Sequence, residues 1–313
     1  MSHESAPETA PRAATGPGLG FAVAAYLLWG LLPLYFGLLA PAGAFEIVAW
    51  RIVFSLALCL VLLTVSRSWT RFRALVRDRR ALVTLAAAGA LIYINWQVYV
   101  LAAVTGHVVE ASLGYFLNPL VSVVLGVAVL RERLRPAQWG AVGLSVVAAV
   151  VLTAAYGGFP WIAFALAISF GLYGFLKKRV GGRVDALGGL TAETAGLTPV
   201  AIIQLLVVGA TGGVSIGAAG PVHALLLGAV GVVTAVPLLL FAAAARRLPL
   251  VLIGLTQYLT PIMQLLIGVL LLQEPMTAAR WTGIGLIWAG LVVLTVDSLH
   301  AARSARRLVA DPV

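Results

Sequence analysis

Charge is what this sequence has least of. Charged residues make up 10% of its 313 positions and hydrophobic residues 61%, where an ordinary soluble domain carries roughly 25% charged residues. A water-soluble fold of this length could not cover so much apolar side chain. Cysteine is almost missing too. Cys59 stands alone inside an apolar run, so no intrachain disulfide can staple the fold. Several spacings of common catalytic and nucleotide sites are absent: there is no HExxH or CxxC, and no phosphate loop of the GxxxxGKS type. The histidines His3, His107, His223 and His300 are scattered over the termini, a loop and a helix end. The expectation is therefore a chain with no cofactor, no metal, no enzymatic site and no ATP hydrolysis of its own.

What the sequence has is long apolar runs, each near the ~20 residues that a helix needs to cross a bilayer. Only helices or closed barrels satisfy their backbone in lipid, and runs of this length read as helices. Ten are placed at 18–40, 44–66, 81–104, 108–130, 137–156, 160–177, 186–209, 222–245, 250–272 and 280–298. The net charge of +10 does not point to nucleic acid, because the basic residues sit in short loops between spans. With the N-terminus inside, 19 of the 21 basic residues fall on the cytoplasmic side, leaving Arg51 within helix 2 and Arg280 on an outer loop. Positive-inside topology thus places both termini in the cytoplasm of a plasma-membrane protein. Residues 1–17, rich in Ala, Pro, Ser and Thr, read as a disordered cytoplasmic segment, not a cleavable leader. Residues 299–313 read as a basic cytoplasmic tail.

The chain also repeats itself. SLGYFLNPLVSVVLGVAVLRERLRPAQWG and GLTQYLTPIMQLLIGVLLLQEPMTAARWT align at one offset of 142, which carries Glu132 onto Glu274, Trp139 onto Trp281 and Pro119 onto Pro261. The units are 18–156 and 157–298, five spans each. Five is odd, so the second copy enters the membrane upside down, as an inverted repeat about an axis in the membrane plane.

At AYLLWGLLPLY, NWQVYV, EASLGYFLNPLVSVVLGV, RERLRPAQW, PWIAFALAISFGLYGFLKK, TAVPLLLFAAAARRL and GLTQYLTPIMQ the chain resembles the EamA-domain branch of the drug/metabolite transporter superfamily, in particular its RarD-type permeases. The resemblance implies an all-α ten-span permease in which helices 1–4 and 6–9 line a central path and helices 5 and 10 form an outer scaffold. Relatives often carry a histidine directly before the helix 2 arginine. This chain has Trp50 there, so a proton-sensing role for that position does not carry over.

Polar groups at membrane depth are the candidates for function, since each charge at mid-bilayer costs about 2.5–3.5 kcal/mol on insertion scales. Arg51 and Glu193 are related by the same offset of 142, and opposite charges at equivalent positions suit a substrate site or a gate. Their depths speak against a mutual salt bridge, and Arg51 is expected to meet Glu110 or Glu46 instead. Glu110, Gly114, Asn118 and Ser122 form one stripe along helix 4, lining a cavity or packing on a neighbouring helix. Asn95, Trp96 and Tyr99 share a face of helix 3; Gln257, Tyr258, Pro261 and Gln264 share one on helix 9; Tyr26, Trp29 and Pro33 share one on helix 1. Amides and aromatic faces of this kind can hold a polar ligand with an apolar or cationic part, or can simply pack. Pro33, Pro119, Pro199, Pro237 and Pro261 each remove a helical hydrogen bond. Pro119 and Pro261 read as paired kinks, with Pro33 and Pro237 as further hinges.

The sequence thus points to a secondary transporter moving a small organic metabolite or drug-like amphiphile by alternating access. Coupling would come from the substrate's own gradient, an exchanged solute, or protons carried by Glu193 and Glu110. Partners would be the solute and membrane lipid, with a homodimer as an open possibility. A lipid flippase and a non-transporting sensor or scaffold are the rival readings.

Overall fold

The computed structural model describes residues 15–130, 135–180, 183–245, 247–248 and 250–310. Those residues are helical apart from short connections: α1 (Thr15–Gly30), α2 (Leu32–Gly37), α3 (Ala44–Val65), α4 (Trp69–Arg77), α5 (Arg79–Val104), α6 (Val108–Leu130), α7 (Pro136–Tyr156), α8 (Trp161–Val180), α9 (Ala186–Thr211), α10 (Pro221–Ala245), α11 (Leu250–Thr256), α12 (Leu259–Leu266), a π-helical turn (Ile267–Leu271) and α13 (Ala278–Ala310). Among the described residues, seven helices are long and apolar enough to cross a membrane, and shorter apolar helices at 108–121, 161–177 and 259–271 supply the rest. The fold is all-α, with ten spans in two inverted sets of five.

The packing obeys an exchange rule that makes the inversion visible. α5 packs on α8, and α10, the copy of α5, packs on α1, whose copy is α8. α3 packs on α10 as α9 packs on α5, and α6 packs on α8 as α12 packs on α1. The copies α3 and α9 lie against each other, as do α7 and α13. The main apolar core runs between the halves, with Phe36, Ile47, Ile52, Val100, Leu166 and Leu227 fully enclosed. α7 and α13 stand to one side and close a second core with α6 and α12.

Several elements depart from the sequence reading, each for a local reason. Helix 1 starts at Thr15, so residues 15–17 are helical; residues 1–14 lie outside the described residues. Helix 1 is also broken at Leu31. Pro33 has no N–H to give the carbonyl of Trp29, one turn back. Helix 9 is broken at Gln257–Tyr258 because Pro261 leaves the Gln257 carbonyl in the same position, and it ends in a π-turn. Pro119 and Pro237 sit inside unbroken helices, so of the repeat-equivalent prolines Pro119 and Pro261 only Pro261 coincides with a helix break. The final helix runs to Ala310, so most of the expected tail is helical; residues 311–313 lie outside the described residues.

The loop after helix 2 contains a helix, α4, with no buried residue. Its arginines fall on one side of a short amphipathic segment, the pattern of a helix lying along a membrane surface.

Candidate substrate site

Arg51 lies in α3, about 10 Å from the nearer helix end at ~1.5 Å per residue. It is 4% exposed. Its guanidinium carbon stands 4.2 Å from the Trp96 ring centre and 5.8 Å from that of Phe36, so α5 and α2 supply aromatic walls. Tyr99 packs edge-on against both Phe36 and Tyr115, at 6.0 and 5.6 Å. Ring contacts of this kind attract the cation but supply no acceptor for its N–H groups. Nε and Nη1 are enclosed and have no acceptor.

The expected partners of Arg51 are engaged elsewhere. Glu46 precedes it by five residues, roughly 140° around the helix, and points to the 212–220 loop. There it accepts from Ser215 N at 2.8 Å, Ser215 Oγ at 2.8 Å and Ile216 N at 3.2 Å. Glu110 accepts from Ile162 N at 3.0 Å and so caps the start of α8, a stabilising use of a carboxylate at a helix N-terminus. The expectation that Arg51 meets Glu110 or Glu46 is therefore corrected. Glu193 has found its own cation: Lys177 Nζ lies 2.8 Å from Oε1 and the Tyr173 hydroxyl 3.3 Å from Oε2. Arg51 and Glu193, equivalent in sequence, end in different circumstances.

The helix 3 face forms as expected. Asn95 Nδ2 donates to Leu166 O at 3.2 Å and Ser169 Oγ at 3.1 Å, while its Oδ1 accepts from the Tyr115 hydroxyl at 3.1 Å. Trp96 and Tyr99 are buried in the main core beside it. Gln264 Nε2 donates to the Tyr99 hydroxyl at 2.7 Å and to the Trp29 carbonyl at 3.3 Å. The carbonyl that Pro33 orphans is thus met by a side chain from the other half, which membrane-depth helix breaks require. Thr260 Oγ1 reaches Tyr26 O in the same way, at 2.8 Å.

Other candidates fall away from this cluster. The Glu110–Gly114 part of the helix 4 stripe packs on α8, where a Cβ at Gly114 would come within 2.7 Å of Ala163 O. That part is a helix seam and not a cavity lining. Asn118 is half-buried one turn further on. Tyr26 and Trp29 pack with Phe241, at 6.0 and 5.8 Å, in a separate core that also holds Leu248 and Ile253. Trp29 also touches the main core. Tyr258 faces the α6–α7–α13 core, and Gln257 is half-buried at the helix break beside it.

Sequence reasoning missed Tyr115, Phe36 and Lys177. Tyr115 and Phe36 looked like any apolar-run aromatic. Lys177 was counted among the topology-setting cations, and no spacing in the sequence pairs it with Glu193 on the next span. Glu274 was noticed only as a repeat marker. Its oxygens accept from Val108 N at 2.6 Å and Val109 N at 3.0 Å, clamping the end of span 9 to the start of α6. Its repeat counterpart Glu132 lies outside the described residues.

A family model described as the EamA-like transporter family matches residues 16–154 and again residues 159–296. The chain belongs to the EamA-like transporter family. A protein named RarD from Streptomyces exfoliatus is 49% identical over 289 residues, spanning 92% of this chain and 91% of the relative. An uncharacterised transporter of Pseudomonas aeruginosa is 43% identical over 292 residues, spanning 93% and 96%. A solved structure described only as a crystal structure of a protein superposes with a TM-score of 0.58 at 20% identity, covering 93% of this chain and 98% of that one. That last likeness concerns the fold alone. As an EamA-family protein of RarD type, the chain is a multi-pass membrane permease of the drug/metabolite transporter superfamily.

Proposed function

We propose that this permease carries a small organic solute across the cell membrane by alternating access, with its arginine-rich face in the cytoplasm. The observation that carries the reading is Arg51: a buried cation beside the core shared by the two halves, held by aromatic rings and given no counter-charge among the described residues. An unpaired charge at this depth costs too much to be kept as scaffolding, and intramembrane ionisable groups mark transport paths by default. The pseudo-symmetric packing supplies the second ingredient, two halves that can trade conformations.

The state described is closed on the face away from the basic loops. Glu274 ties span 9 to α6 there, α12 and the π-turn pack on α6, and Tyr35 donates its hydroxyl to Leu226 O across the halves. α11, towards the basic face, packs on α1 and α10 instead. In the other state the contact between span 9 and α6 would open on the outside.

Paired spin labels on a Cys59→Ser background, one at Thr105 and one at Thr277, test this in liposomes. Alternating access gives two distance populations, and Glu274→Ala shifts weight towards the longer one. A single narrow distance in both proteins would sink the reading. A lipid flippase is the second reading, favoured by an apolar groove of about 830 Å³ on the flank of α6, α7 and α8, lined by Leu120, Val121, Val146, Val150 and Ile168.

A further inference from the structure

We infer that the solute is a small organic carboxylate that carries a hydrogen-bond donor beside an apolar or aromatic body. The inference deepens the transport reading above and rests on it.

The second half shows how this fold neutralises a buried charge from within. Glu193 receives Lys177 from the adjacent span at 2.8 Å. The offset of 142 carries Lys177 back onto Tyr35, and Glu193 onto Arg51. In the first half the place of the counter-ion is therefore held by a phenol, whose hydroxyl is turned to Leu226 O. No carboxylate among the described residues replaces it. Glu46, Glu110, Glu193 and Glu274 are each engaged by other donors. Guanidinium does not shed its proton under ordinary conditions, so the missing negative charge has to arrive with the cargo.

The surrounding groups narrow the class. The cluster holds one cation, which matches a monoanion and not a phosphate ester of two charges. Arg51 offers in-plane N–H groups, the geometry that suits a planar carboxylate. Tyr99 accepts from Gln264, so its own proton remains to donate to the same anion. Gln264 fixes the other requirement. Its Nε2 donates to the Trp29 carbonyl, which can only accept, so the amide orientation is determined by its partners. Its Oε1 is enclosed without a donor. A hydroxyl or amino group on the cargo would supply that donor, while Trp96 and Phe36 take the apolar body. Hydroxy acids and amino acids meet all three conditions.

The test is thermal melting of the purified protein in detergent with matched probes: glycolate, lactate, phenyllactate, glycine and phenylalanine, each beside its primary amide. At least one acid should raise the melting temperature saturably, and its amide should half-saturate about tenfold or more higher, the factor that about 1.4 kcal/mol confers. Arg51→Lys should weaken the acid-induced shift and Arg51→Gln should abolish it. Equal stabilisation by acid and amide overturns the inference on the wild type alone, whether or not the variants fold. So does the absence of a shift with every acid at millimolar concentration. Two label distances with no acid response would leave alternating access standing and remove only the carboxylate. One fixed distance with an acid response would do the reverse.

Discussion

Lys177 and Glu193 form an ion pair whose carboxylate is buried and whose ammonium is part-exposed, so the carboxylate depends on the lysine. Breaking such a pair by removing one partner costs about 3–5 kcal/mol, because the remaining charge stays desolvated. Lys177→Met should therefore lower the melting temperature sharply, and Glu193→Leu added to it should recover most of the loss. The double variant is the informative measurement; if it is no more stable than Lys177→Met, the pair is not what holds α8 to α9. At this scale the sequence was a good guide to which residues are unusual and a poor one to what they touch. Arg51 stood out because charge at membrane depth is costly whatever its surroundings. Its neighbours did not, since Phe36 and Tyr115 acquire meaning only from a packing that brings α2, α3, α5 and α6 together. Glu46 and Glu110 were read as partners for Arg51 by depth alone, and depth does not show which way a carboxylate points around a helix.

The helices cross closely where glycine allows it. Gly231 in α10 meets α3 so tightly that an added Cβ would stand 2.5 Å from the Phe54 carbonyl carbon. Gly228, one turn earlier, has nothing within 4 Å. Gly231→Ala should then destabilise by about 1–3 kcal/mol through overpacking, while Gly228→Ala should be neutral or slightly stabilising through better helix propensity. Melting both in the same detergent checks the crossing, and equal effects would contradict it. Helix positions were legible here because apolar length is a direct consequence of bilayer thickness. The breaks were less so: Pro33 and Pro261 interrupt their helices, whereas Pro119 and Pro237 do not. At Pro33 a neighbour contributes, since Gln264 meets the carbonyl that this proline frees and Thr260 the nearby Tyr26 carbonyl. No local pattern in the sequence reports that.

For the whole molecule, the distribution of arginine and lysine predicts a cytoplasmic basic face. Ala74 lies exposed on α4 and Ala219 exposed in the 212–220 loop. On a Cys59→Ser background, Ala219→Cys should react with a membrane-impermeant maleimide in intact cells, and Ala74→Cys only after permeabilisation. The opposite pattern would invert the protein. The internal repeat was the most legible large-scale feature, because an odd number of spans per copy forces inversion without any knowledge of contacts. What it concealed is the divergence between copies, a lysine in one half where the other has Tyr35.

Span 1 and span 9 are both broken near their middles, and the breaks are pinned to each other by Thr260 on Tyr26 O and Gln264 on Trp29 O. Mechanically, two jointed rods fastened at their joints behave as one linkage with fewer independent motions than two. Neither rod can bend alone without tearing a pin, so a push on one is delivered to the other with little slack. Wear at the pins, more than weakness in either rod, would then determine how far the two move as one.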